Sequence, residues 1–127
     1  MSEVIELGRT ATKVVEIEGA EYEVRIGQLG VLPLVRRCLE AVRGLEGAQD
    51  PDEAMRGLEE FVGLARQVVA MAMGEGAAED LLGGDLAWDM ARTVSLLSAI
   101  VRMVGSEEAR RAVVEGIAEA ARTLDAE

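Results

Sequence analysis

A chain in which half the residues are apolar but which holds only one Tyr, one Phe and one Trp must fill its core with aliphatic side chains. Strands draw on β-branched and aromatic residues, whereas Leu, Ala and Met are good helix formers, so the shortage of rings points to helix packing more than to a β-sandwich. Two prolines in 127 residues leave long stretches uninterrupted. The length suits one ordinary domain with one core. We expect a single domain over residues 1–127, mainly α, with a β-hairpin at 12–27 and a bundle of about four helices at 33–126.

The hairpin is read from a two-residue period. Val15 and Ile17 alternate with Glu16 and Glu18, and Tyr22, Val24 and Ile26 alternate with Glu23 and Arg25, with Gly19 available for the turn between them. Both apolar sets share one face. An isolated hairpin is marginal in water, so that face is expected to lie on helices or to pair with another chain.

Beyond Gly30 the period becomes helical. Pro33, tolerated in a first helical turn, opens a first helix through about Gly44, with Leu34, Val35, Cys38, Leu39, Val42 and Leu45 on its apolar side. Asp50, Pro51 and Glu53 form the clearest helix start, leading into a one-sided helix that ends near Met73-Gly74. Residues 74–85, with four glycines, read as a loop with at most one helical turn inside. Asp85 then caps a third helix to about Val104, with Leu86, Met90, Val94, Leu97, Val101 and Val104 as its main stripe, widened by Leu96, Ile100 and Met103. Gly105 and Ser106 separate it from a fourth, whose seam of Ala109, Val113, Ile117, Ala120 and Leu124 is thin enough to make it the least firmly docked element.

A formal net charge of -11 makes a negative field that repels phosphate backbones and anionic headgroups, so neither nucleic acid nor a membrane surface is expected as a partner. The lone Cys38 cannot form an internal disulfide and points to a reducing compartment. No stretch approaches the roughly 20 apolar residues of a membrane span, and the acidic first residues do not resemble a signal peptide. A cytoplasmic setting is the expectation.

Without histidine, the usual proton-transfer side chain near neutral pH is missing, and Ser/His/Asp and Cys/His catalysis are closed. No dinucleotide fingerprint or phosphate-binding loop occurs. Glu79, Asp80, Asp85 and Asp89 crowd one segment but lack the spacing of a calcium loop, and capping and solvation are their expected roles. No enzyme activity, cofactor or metal is expected. Cys38, on an apolar helix face, reads as a buried thiol.

The candidates that remain suit protein binding. Trp88, Ala91, Ser95 and Ala99 fall together off the main stripe of the third helix, a surface of small residues beside one large ring. Met71 and Met73, next to the glycine-rich loop, and that loop's Leu81 and Leu82 are further candidate contacts.

The run Val14-Val15-Glu16-Ile17-Glu18-Gly19-Ala20-Glu21-Tyr22-Glu23-Val24-Arg25 resembles the opening hairpin of tail assembly chaperones from long-tailed bacteriophages, whose members also continue into acidic helices. The resemblance implies an assembly-stage protein that coats the hydrophobic helical tape measure protein and helps recruit tail tube subunits in the host cytoplasm. It also implies that a longer, frameshifted form is common. Self-association through the hairpin or the last helix is expected. The alternatives are a virion component, such as a tail completion or connector protein, and a small regulatory or ligand-binding helical domain with Trp88 lining a pocket.

Overall fold

The computed structural model describes residues 2–4 and 11–125, apart from the side chains at 108, 109, 112, 113, 116, 119, 120 and 124. Two strands, β1 (Thr12–Ile17) and β2 (Ala20–Arg25), precede α1 (Val31–Glu46), α2 (Pro51–Met73), α3 (Glu75–Leu82), a 3-10 helix (Gly84–Trp88), α4 (Met90–Val104) and α5 (Glu107–Asp125). The fold is mainly α with an N-terminal antiparallel hairpin.

The hairpin turns on two residues only. Glu18 and Gly19 both have positive φ (51° and 82°), the backbone of a tight turn whose twist matches its strands. Pairing of Val15 with Tyr22 and of Ile17 with Ala20 puts the apolar side chains on one face, and Val24 and Ile26 are buried against α2. On the other face Glu16 lies directly opposite Glu21.

The start of α2 follows local rules. Asp50 Oδ1 accepts from the Glu53 amide at 2.8 Å, and Glu53 Oε2 reaches back to the Gln49 amide at 3.3 Å. Phe61, Val62, Leu64, Ala65, Val68, Val69 and Ala72 form its buried face, making it the central helix. Along α1 it packs closely: a Cβ on Gly57 would stand 2.9 Å from Leu45 Cδ2, so the missing side chain lets Leu45 settle on the helix. Gly74, at φ 97°, breaks α2 from α3.

Three expectations change. First, α1 starts at Val31, earlier than Pro33, because the turn at Gln28–Leu29 already supplies its first carbonyls: Val31 N–H donates to Gln28 O and Leu32 N–H to Leu29 O. Second, the glycine-rich stretch is mostly helical. α3 has Ala78, Leu81 and Leu82 buried, and the 3-10 helix buries Ala87. Third, Asp89 rather than Asp85 caps α4, its Oδ1 accepting from the Arg92 amide at 3.1 Å.

The buried face of α4 keeps Leu97 and Val104 of the expected stripe and Leu96 and Ile100 of its widening. Thr93, Leu96, Leu97, Ile100 and Val104 face inward, while Val94 and Leu86 are exposed. Burial of Thr93 is possible because its hydroxyl donates to Ala87 O at 3.3 Å. Arg92 ties this corner together: Nε donates to Leu81 O at 2.7 Å and a terminal nitrogen pairs with Glu18 in the hairpin turn.

One apolar cluster takes in residues of β2, α1, α2, α3, the 3-10 helix and α4. Among the described residues α5 packs sparsely, with α4 as its principal neighbour. Ile117 is 65% exposed and Val114 63%. The other members of its expected seam, Ala109, Val113, Ala120 and Leu124, lie outside the described side chains.

Candidate functional site

An open, largely apolar groove lies between α1 and α4. Helices with bulky side chains along a contact stand about 8–10 Å apart, and shape mismatch between them leaves an open channel. Here Val35, Leu39 and Val42 of α1 form one wall, and Val94, Ser98 and Val101 of α4 the other. Phe61 of α2 and Leu97 stand at its base beside Cys38. The volume is about 740 Å³.

Leu39 is 54% exposed and Val94 52%, so large aliphatic surface faces water on both walls. Ser95 and Ser98 keep the α4 wall low, which permits close approach by another helix. At one end the groove runs on over Leu32, with Arg36 and Arg43 on its rim, and Arg102 stands on the α4 side. In a chain as acidic as this one, the rim is locally rich in arginine, with Glu40 as its carboxylate.

Cys38 is buried at the base of this groove. Burial pushes its thiol pKa above the ordinary value, outweighing a backbone hydrogen bond and the charge of Arg37, which both act to lower it. A thiol held protonated in this way is a weak nucleophile at neutral pH.

The residues singled out from the sequence are distributed unequally. Ser95 lines the groove, Ala91 is exposed one turn earlier and Ala99 is half-buried beside the stripe. Trp88 ends the 3-10 helix instead of sitting on α4, is 45% exposed and is not part of the groove lining. Leu81 and Leu82 are core residues of α3 and therefore not a contact surface, because two helical turns where a loop was expected point them inward. Met71 and Met73 are half-buried against the core, and Met71 Sδ lies 3.1 Å from where a Cβ on Gly30 would stand.

The acidic segment has structural work. Glu79 pairs with Arg66 at 3.1 Å and Asp89 caps α4. Among the described residues no group of three or more His, Cys, Asp or Glu side chains is placed to hold a metal ion. No described helix is long and apolar enough to cross a membrane.

Sequence reasoning found Leu39, Val94 and Ser95 but assigned the first two to the core. The signal for the groove was the breadth of apolar positions on both α1 and α4, wider than a single buried stripe requires. Comparison with protein-family models, with curated proteins and with solved structures finds no match to this chain.

Proposed function

We infer that the chain is a non-enzymatic protein-binding protein whose α1/α4 groove receives an apolar helix of a client, and that it serves as a phage tail assembly chaperone. In that role it covers the tape measure protein during assembly and helps recruit tail tube subunits. The observation that carries the reading is the groove itself: an open apolar channel with Leu39 and Val94 half exposed on opposite walls. Helix-in-groove recognition needs that shape, with anchors spaced at three and four residues along the incoming helix. The net charge of -11 suits a carrier that must keep an apolar client dissolved.

Co-expression with a phage tape measure protein tests the reading. The client's soluble yield is expected to rise and the two proteins to co-purify, and Leu39→Glu is expected to abolish both. A client that stays insoluble and separate overturns it. A second reading is favoured by the hairpin, whose strands pair only with each other among the described residues and so offer edges to a neighbour's sheet. A virion component built on that edge would be found by mass spectrometry in purified particles, where an assembly chaperone is missing.

A further inference from the structure

We propose that the helix received by the α1/α4 groove is acidic along its flanks: an amphipathic helix whose apolar stripe is bordered by Glu or Asp, selected by the arginines on the groove's rim. The proposal rests on the client reading above and adds the chemistry by which a client is chosen.

The outer face of α1 carries the pattern of one helix of a coiled coil. Leu32, Val35, Leu39 and Val42 recur at three, four and three residues, and all of them line the groove or its continuation. Leu32 is 41% exposed and Leu39 54%, so the seam faces water. Arg36 directly follows Val35 and Arg43 directly follows Val42, which puts both at the seam's edge, where heptad helices carry the charges that choose a partner. The opposite wall is similar. Val94, Ser98 and Val101 recur at four and three along α4, and Arg102 stands next to them.

These three guanidiniums are uncommitted. Among the described residues Arg66, Arg92 and Arg111 form the ion pairs, while Arg36, Arg43 and Arg102 are exposed and form none. Glu40 is the carboxylate on the same rim, so the edge stays positive although the chain as a whole carries a net charge of -11. A local field opposite to the global one discriminates between clients. A helix flanked by Lys is drawn to the molecule and repelled at the groove, whereas one flanked by acids gains its pairs only there. From Leu32 to Val42 is about 15 Å of helix, so an incoming segment of roughly three turns spans the contact.

Synthetic helical peptides of about 21 residues, or three heptads, are the probe. They share one Leu/Ile stripe and differ only in the flanking residues, which are all Glu, all Gln or all Lys. Binding to the full chain is measured by fluorescence anisotropy. At low salt the Glu peptide is expected to bind roughly tenfold or more tighter than the Lys peptide, since each exposed ion pair is worth a factor of about two to five. The gap is expected to close near 1 M salt, where the screening length falls to about 3 Å. Arg36→Glu combined with Arg43→Glu is expected to invert the order. Arg56→Glu, the same change of charge in the cleft between α1 and α2, is expected to leave it as it is. Equal affinity for the three peptides, or a preference for Lys that follows the net charge, overturns the proposal and leaves the client reading standing. Failure of every peptide to bind, or binding indifferent to Leu39→Glu, overturns both. A chain that is dimeric by light scattering, loses the dimer with Leu39→Glu and takes no peptide places a second copy in the groove and likewise overturns both.

Discussion

α1 packs against two neighbours in opposite ways. On its α2 side Leu45 fills the space left by Gly57, which has no side chain, and the cleft beside them is lined mostly by charged side chains, Arg37, Glu40, Glu53, Arg56 and Glu60. On its α4 side the contact stays open, with Val35, Leu39, Val94 and Val101 along the walls and Phe61, Leu97 and Cys38 at the base. The same aliphatic chemistry thus makes core on one side and an exposed channel on the other. What separates them is whether each bulky side chain meets a space to fill.

Truncation in the buried core and on the groove wall breaks that comparison most strongly. Leu82→Ala removes a fully buried side chain and is expected to cost about 2–5 kcal/mol. Leu39→Ala, the same chemical change on the groove wall, is expected to cost under about 1 kcal/mol, since half of that side chain already faces water. Urea unfolding of both proteins checks the pair, and equal losses would show that the groove is structural.

Next in size is Arg92→Ala, which takes a charged donor from the Leu81 carbonyl and detaches the hairpin turn from α4. A loss of about 1–3 kcal/mol is expected by the same measurement, with the larger share from the stranded carbonyl.

Cys38 probes the base of the groove through pH. Its folded-state pKa is raised, so its contribution to stability is fully present below the ordinary thiol value of about 8.5 and is lost as pH rises through the folded value. Chemical denaturation between neutral and alkaline pH is expected to show stability falling more steeply for the wild type than for Cys38→Ala. Parallel curves would mean that the thiol ionises freely.

The smallest effect lies on the hairpin's outer face. Glu16→Lys replaces the like-charge pair across from Glu21 by an opposite one, and thermal melts at low salt are expected to show a gain of about 0.5 kcal/mol or less that fades with added salt.

Features fixed by local rules were legible in the sequence. The strand alternation placed Val15, Tyr22 and Val24 on one face, and Asp50-Pro51 with Glu53 marked the start of α2. Residues 74–89 were not legible, since Gly83 and Gly84 look like loop and both Asp85 and Asp89 are sound caps. Tertiary contacts choose between them: Arg92 on the Leu81 carbonyl and Thr93 on the Ala87 carbonyl hold α4 where Asp89 begins it. Thr93 counts as polar in any pattern and Val94 as apolar, yet the first is buried and the second exposed. A groove of this sort depends on which helices become neighbours without filling the space between them, and no single helix carries that information.

Val94→Glu and Val14→Glu place the same charge on two exposed valines, one in the groove and one on the hairpin. Co-purification of each variant with the tape measure protein tests the role of the groove most directly. The groove variant is expected to lose the client while keeping its helical circular dichroism, and the hairpin variant to retain it. Loss in the hairpin variant alone would contradict the groove as the binding surface and place it on the strands.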